Sequence, residues 1–299
     1  MRCSFLSTPV AVFKHGIPAA FTSRLQHVRR RVGRNSPGWM PPSAAAGSSL
    51  CTIDVGILRC DVVPPVVAKI TGEYEQMFKK LLSENDPAVK LTVFDATKSE
   101  TPANTEDFDG FIITGSRHAA YDKTQQWILD LQETVRKLRT SRRPVFGVCF
   151  GHQIIAQALG GEVVKHSKGW EIGHAAFRVS SEAKKIMPAF EEKDELQLLY
   201  SHMDHVVKIP DGFVNMGGND HSPIEGMISQ DGQFLTVQGH PEFTPAVIEG
   251  YVEIRRGVTL PEDVASHALS TLNRPVDRDW IASQFISMLR KHKLHKLQS

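Results

Sequence analysis

One cysteine of this sequence lies where a strand is expected to turn sharply into a helix. In Gly147-Val148-Cys149-Phe150-Gly151, glycines stand two residues before and two residues after Cys149. This is the cysteine counterpart of the Gly-x-Ser-x-Gly elbow, whose tight turn exposes a nucleophile above a helix N-terminus. The N–H groups and dipole of a helix N-terminus favour the thiolate, which is the reactive form of cysteine. Taken alone, the stretch is equally compatible with a small buried cysteine between two turn glycines.

A second segment supplies residues that could activate a thiol. An apolar run at residues 235–238 leads into Gly239-His240-Pro241-Glu242. In an extended segment, residues i and i+2 project to the same side, so His240 and Glu242 are expected to lie together. His240 would take the thiol proton, and Glu242 would orient the imidazole and stabilise its charged form. Together with the elbow, the segment predicts a Cys149–His240–Glu242 triad.

The elements that must position these residues follow from the hydrophobic pattern. Apolar runs alternate with segments of helical spacing up to Gly161, and this alternation is typical of βαβ units with a mostly parallel sheet. The expected strands there are residues 52–58, 89–95, 108–114 and 144–148, and the expected helices are 70–82, 127–138 and 153–159. Short hairpin-like strands are expected from there to about residue 238, followed by helices at residues 245–256, 262–272 and 279–290.

The first 50 residues differ from the rest of the chain. They hold seven Lys and Arg residues, no Asp or Glu, and a low-complexity stretch at residues 41–50. Such a segment buries too little apolar surface to fold, so we expect a disordered basic leader. It is either a transit peptide or a dispensable leader ahead of a cytosolic form that starts at Met40. We predict a catalytic domain at residues 51–260 and a helical extension, packed on that domain, at residues 261–299.

Composition narrows the range of partners. The net charge is +2 and no run of 18 apolar residues occurs, so neither a nucleic-acid nor a membrane partner is expected. The four cysteines show no paired spacing, and His202 and His205 have no further ligand at metal-site spacing. We therefore expect no metal and no cofactor. The few cysteines suit a reducing compartment and predict a cytoplasmic protein, with a mitochondrial location as the alternative if the leader is a transit peptide.

Four further features occur in a fixed order along the chain. They are Phe-Ile-Ile-Thr-Gly-Ser at 111–116, the elbow continued to Gln153, Tyr-Ser-His-Met-Asp-His-Val at 200–206, and the late His-Pro-Glu. Together they resemble the triad-type class I glutamine amidotransferases, from about residue 53 to residue 256. Gly-Trp-Glu-Ile-Gly at 169–173 is similar to stand-alone, GMP-synthase-like members, which include plant γ-glutamyl peptidases. The resemblance implies a flavodoxin-like α/β fold, with a central mostly parallel sheet, flanking helices and a small antiparallel sheet.

The resemblance also implies a reaction. Cys149 would attack the side-chain amide of a small-molecule γ-glutamyl substrate, and water would hydrolyse the resulting thioester. The backbone N–H groups of Gly115 and Phe150 would form the oxyanion hole, and Gln153 would line the substrate pocket. His202 and Asp204 either contact the substrate or form a polar pair that closes a strand end.

The expected reaction leaves the biological role open. The chain carries no phosphate-binding loop of the Walker type, and about forty residues after Arg256 are too few for a synthetase domain. This favours a free-standing hydrolase of glutamine or γ-glutamyl peptides. The alternatives are a glutaminase subunit that supplies ammonia to a separate synthetase partner, and a non-catalytic or redox-sensing protein on the same fold.

Overall fold

A computed structural model describes residues 52–298 of the chain. The leader predicted at residues 1–50 lies outside the described residues, so its disorder and its targeting role stay predictions, as does the location in the cell. No helix within residues 52–298 is both long enough and apolar enough to cross a membrane.

The described chain is built around one large sheet. Its strands β2, β1, β3, β4 and β11 lie side by side in that order and are parallel, and β10, β9, β6 and β7 continue the sheet antiparallel. A separate antiparallel pair joins β5 to β8. The strands, in chain order, are β1 (Ile53–Arg59), β2 (Val89–Asp95), β3 (Gly110–Ile113), β4 (Val145–Val148), β5 (Glu162–Lys165), β6 (Glu171–Val179), β7 (Glu195–His202), β8 (Asp204–Lys208), β9 (Phe213–Gly218), β10 (Gly226–Ser229) and β11 (Phe234–Val237).

Helices cover both faces of this sheet. They are α1 (Pro65–Thr71), α2 (Tyr74–Asn85), α3 (Gln126–Ser141), α4 (Phe150–Ala158), α5 (Ser181–Ile186), α6 (Pro245–Arg255), α7 (Glu262–Thr271) and α8 (Arg278–Gln298). Successive side chains of a strand point to opposite faces. Ile112 of β3 therefore packs with α2 and α8, whereas Phe111 and Ile113 pack with α3 and α4. The expected fold class, a mostly parallel sheet with flanking helices and a small antiparallel sheet, is confirmed.

The helix expected at residues 70–82 is wrong at its start. Gly72 has φ of +80°, a left-handed backbone conformation that ends α1. A new helix, α2, begins at Tyr74, capped by reciprocal side-chain and backbone hydrogen bonds between Glu73 and Gln76. The Pro64-Pro65 loop is also wrong in part, because Pro65 occupies the first turn of α1, where its fixed φ and missing N–H are tolerated.

The last helix is longer than the expected 279–290 and continues to Gln298. Its basic end is not simply solvated. Lys293 Nζ lies 2.6 Å from Asp109 Oδ2 and also donates to the carbonyl of Thr52, at the start of β1, while Lys296 Nζ donates to the carbonyl of Glu106 at 2.7 Å. These contacts attach the extra turns to the loop before β3, which the hydrophobic spacing alone could not indicate.

Candidate active site

The elbow is a strained turn between β4 and α4. Cys149 has φ of +53° and ψ of −104°, which only glycine adopts readily, and backbone strain of this kind costs about 1–3 kcal/mol. Its N–H donates to Val237 of the neighbouring strand β11 at 2.9 Å, and its carbonyl accepts from Gln153 at 3.1 Å. Both bonds hold the residue in place at the start of the helix. Only 4% of Cys149 is exposed.

The two flanking glycines allow strand and helix to come together. A Cβ on Gly151 would lie 2.1 Å from the carbonyl oxygen of Ile113, and one on Gly147 would lie 2.8 Å from that of Gly151. Real Cβ atoms do not approach backbone oxygens so closely. The glycine spacing read from the sequence therefore has a steric cause: α4 begins in direct contact with β3 and β4.

His240 and Glu242 form a buried pair just beyond the end of β11. The Nδ1–H of His240 donates to Glu242 Oε1 at 2.8 Å, and the backbone N–H of His240 donates to the carbonyl of Leu199 at 2.7 Å. The imidazole lies flat on the ring of Phe243, with 3.8 Å between ring centroids and an interplanar angle of 5°. These contacts fix both the orientation and the tautomer of the imidazole, leaving Nε2 for the substrate side.

Gly115 shows that the cysteine and the histidine face each other. A Cβ placed on Gly115 would lie 2.9 Å from Cε1 of His240 and 3.7 Å from Cβ of Cys149, so all three residues meet at one point. Phe150, the first residue of α4, follows Cys149 directly, and the first N–H groups of a helix have no partner inside it. Gly115 and Phe150 thus stand on either side of the sulfur, where an oxyanion hole would have to be.

The pKa of His240 is strongly raised. Burial alone would lower it, but the Glu242 carboxylate and the neighbouring Cys149 outweigh burial and raise the pKa to about 10. The imidazole is therefore protonated at neutral pH, and an imidazolium next to sulfur attracts a thiolate. This is the charge arrangement of an activated cysteine nucleophile.

The other predicted site residues surround the same point. Gln153 is buried, and its Nε2 donates to the carbonyl of Asp204 at 2.7 Å and to Gln238 Oε1 at 3.0 Å. Both ring nitrogens of His202 have partners at 2.9 Å, namely the carbonyl of Asp204 and Glu171 Oε2. The side chain of Asp204 is half-buried, and burial raises its pKa. Gln153 and His202 are thus held by the protein itself, whereas the Asp204 carboxylate is available to a ligand.

A buried carboxyl pair behind the site was missed by the sequence analysis. Glu171, His202 and Glu225 each offer one atom within 4.8 Å of the others, a grouping that could hold a metal ion. Burial and the nearby Glu171 raise the pKa of Glu225 well above its ordinary range. The pKa of Glu171 is lowered against the effect of its burial, chiefly by His202. One proton shared by the two carboxyls therefore accounts for the grouping. Glu225 follows an irregular loop and carries no motif that could have indicated it.

These residues open onto one cavity of about 390 Å³. Cys149, Gln153, His202, Asp204 and His240 all line it, Glu242 lies behind His240, and Gly115 and Phe150 flank the sulfur. The rest of the lining includes residues that the sequence did not single out for the site. Among them are Asp61, Tyr74, Trp170, Phe243, Tyr251 and Arg255.

A family model agrees with this geometry. The glutamine amidotransferase class-I description matches residues 69–252, more than half of the chain. The chain belongs to the class I glutamine amidotransferase family. The resemblance inferred from its motifs is thereby confirmed at the level of the family.

Individual members of the amidotransferase family show how far the likeness extends. γ-Glutamyl peptidase 4 of Arabidopsis thaliana is 30% identical over 213 residues, which is 69% of this chain and 82% of the peptidase. The glutamine-hydrolysing GMP synthase of Thermosipho africanus is 30% identical over 184 residues, 60% of this chain and 32% of the synthase. A glutamine amidotransferase from Thermotoga maritima superposes with a TM-score of 0.61 at 18% identity, covering 80% of this chain and 97% of its own.

Proposed function

We propose that this member of the amidotransferase family is a cysteine-dependent hydrolase of γ-glutamyl amide bonds, acting on glutamine or on γ-glutamyl peptides. One observation carries the proposal: a strained Cys149 at the N-terminus of α4 meets a protonated His240 that is held by Glu242, at the wall of a cavity. The likeness to an enzyme named γ-glutamyl peptidase supports the choice of substrate.

In the proposed reaction, the Cys149 thiolate attacks the γ-carbonyl carbon and the carbonyl oxygen becomes an oxyanion. The backbone N–H groups of Gly115 and Phe150 would stabilise it, at about 2.7–4 kcal/mol for each donor. His240 gives its proton to the amide nitrogen, the C–N bond breaks, and the amine leaves a γ-glutamyl thioester. Neutral His240 then takes a proton from water, which attacks the thioester. Breaking the C–S bond releases glutamate and restores the thiolate and the imidazolium.

A substrate panel tests this function. We expect the purified protein to release glutamate from γ-glutamyl dipeptides, and amine or ammonia in equal amount, when incubated separately with glutamine, glutathione and γ-glutamyl dipeptides. Product formation can be followed by chromatography of the free amino acids. Absence of turnover on every compound would contradict the proposal.

A second role is supported by the likeness to a GMP synthase, which is named for its hydrolysis of glutamine. In that role the chain supplies ammonia to a separate synthetase. The same panel separates the two roles. Turnover of glutamine alone, with stimulation by a co-purified synthetase, would favour the ammonia-supplying subunit, whereas turnover of peptides by the isolated chain favours the free-standing hydrolase.

The raised pKa of His240 gives the proposed reaction a distinct pH dependence. The protonated imidazole is needed to charge the pair and to protonate the leaving amine, and it is lost only as the pH rises through about 10. We expect kcat/KM to fall only above about pH 10. In Glu242→Gln the main favourable partner is neutral, so the pKa of His240 should fall towards its ordinary value of about 6.5 and activity should already decline above neutral pH. The total loss should be up to about 10⁴-fold.

The measurement is kcat/KM as a function of pH for the wild type and for Glu242→Gln. Glu253→Gln is the matched control, because Glu253 is exposed on α6. Identical profiles for the wild type and Glu242→Gln would contradict the assigned role of Glu242.

A further inference from the structure

Stacked rings extend from His240 along one wall of the cavity. Phe243, which packs against His240, stacks on Tyr251 with 5.7 Å between centroids. The guanidinium carbon of Arg255 lies 4.5 Å from the Tyr251 ring centroid and 4.8 Å from that of Trp170. Arg255 is therefore held between two aromatic rings at the end of α6, on the same cavity that Cys149 lines.

The charge of Arg255 is not neutralised by the described part of the protein. Within residues 52–298 no carboxylate oxygen lies within 4.0 Å of its side-chain nitrogens, and its side-chain hydrogen bond goes to the neutral hydroxyl of Ser201 at 2.7 Å. Burial lowers the pKa of Arg255, as expected for a desolvated cation. A guanidinium has five N–H donors, so most of them remain for a ligand.

Two neighbouring arginines show the contrast. Arg117, also on the cavity wall, donates to both carboxylate oxygens of Asp61 at 2.8–2.9 Å. Arg256, next to Arg255 in sequence, lies 3.4 Å from Glu262. Cation–π contacts with two rings contribute about 0.5–2 kcal/mol each and explain how Arg255 is positioned, but they leave its donors unsatisfied. A partly buried cation of this kind calls for an anion from outside.

We propose that Arg255 binds a carboxylate group of the substrate and thereby selects γ-glutamyl compounds that carry a free carboxylate at that position. The inference rests on the proposed hydrolase function and adds a specificity residue to it. The planar guanidinium, fixed between Tyr251 and Trp170, matches the two oxygens of a carboxylate in a bidentate pair. The carboxylate has two sources: the α-carboxylate of the γ-glutamyl group, or the C-terminal carboxylate of the peptide that leaves.

Substrate analogues distinguish the two sources without any change to the protein. γ-Glutamyl-glycine amide lacks the carboxylate of the leaving group, and 4-aminobutanamide is glutamine without its α-carboxylate. If the leaving group is bound, the amide should have a KM about 10- to 100-fold above that of γ-glutamyl-glycine, as expected when a hydrogen bond to a charged group is lost. If the α-carboxylate is bound, 4-aminobutanamide should show the corresponding loss relative to glutamine. Equal KM values in both comparisons would overturn the proposal.

Variants test the residue itself. Arg255→Met should raise KM about 10- to 100-fold for the compound that carries the recognised carboxylate, with a smaller change in kcat, and should have little further effect on the analogue that lacks it. Arg255→Lys keeps the charge but not the fork, and is expected to be intermediate. Arg256→Met is the matched control. Unchanged KM in an Arg255→Met protein that melts as the wild type does would overturn the proposal.

Binding measurements separate this inference from the hydrolase proposal. Calorimetric titration of Cys149→Ala with γ-glutamyl-glycine and with glutamine, with and without Arg255→Met, needs no turnover. Binding that weakens about 10- to 100-fold in the double variant supports the role of Arg255 even if the wild type proves inactive. Binding of equal strength in both proteins overturns that role, whatever the wild type hydrolyses.

Discussion

Replacement of Cys149 by alanine is expected to reduce γ-glutamyl hydrolysis by on the order of 10⁴-fold or more, to the background of the assay. The thiolate is the atom that forms the covalent intermediate in the proposed reaction, and no other described cysteine can take its place. Cys60 is 0% exposed, its Sγ donates to the carbonyl of Leu58 at 3.3 Å, and burial raises the pKa of its thiol.

The measurement compares glutamate release by the wild type, Cys149→Ala and Cys60→Ala. Mass spectrometry of protein quenched during turnover should also detect a γ-glutamyl adduct on Cys149 in the wild type and none in Cys149→Ala. The control, Cys60→Ala, should keep most of the activity. Retained hydrolysis in Cys149→Ala, or an adduct on Cys60, would show that the nucleophile has been misassigned.

Replacement of Gly151 by alanine is expected to destabilise the protein by about 3 kcal/mol or more. The added methyl group would lie 2.1 Å from the carbonyl oxygen of Ile113, so α4 or β3 would have to move. Overpacking a core typically costs about 1–3 kcal/mol, and rigid backbone on both sides places this change at the upper end or beyond. Because the same movement displaces Cys149, hydrolysis should also be lost in the protein that still folds.

Chemical denaturation of the wild type and the variant gives the change in the free energy of unfolding. Gly232→Ala is the comparison, because Gly232 has φ of +70° in the turn between β10 and β11 and nothing lies within 4 Å of an added Cβ. That change carries only the cost of a left-handed backbone, about 1–2 kcal/mol. If Gly151→Ala is no more destabilising than Gly232→Ala, the close contact of α4 with β3 is not important for stability.

The parts of this molecule that were predictable from sequence are those in which neighbours along the chain become neighbours in space. The period-two apolar runs of β1 and β3 and the glycines around Cys149 report on local geometry, and so does the i, i+2 spacing of His240 and Glu242. The structure brings the latter two within 2.8 Å of each other. Their proximity to Cys149 follows from the parallel pairing of β4 with β11, which the strand pattern could suggest only through the resemblance to a family.

What the sequence could not predict are contacts between distant segments. Arg255 becomes a candidate only because Trp170, more than eighty residues earlier, packs on its other face. Glu225 and Glu171 belong to different strand regions and share no spacing, so their coupling is visible only in the folded chain. The break at Gly72 is local, yet the apolar residues on both sides concealed it, because a positive φ leaves no trace in the hydrophobic pattern.

The face-to-face packing of His240 on Phe243 has a consequence for the order of events in the proposed reaction. With its ring held flat and Nδ1 occupied by Glu242, the imidazole can exchange protons through Nε2 alone. The departing amine and the incoming water must then use the same position one after the other. The reaction should therefore follow ping-pong kinetics, with the amine released before water enters. A second amine that reaches this position before water would be γ-glutamylated in its place, so hydrolysis and γ-glutamyl transfer would compete for one intermediate.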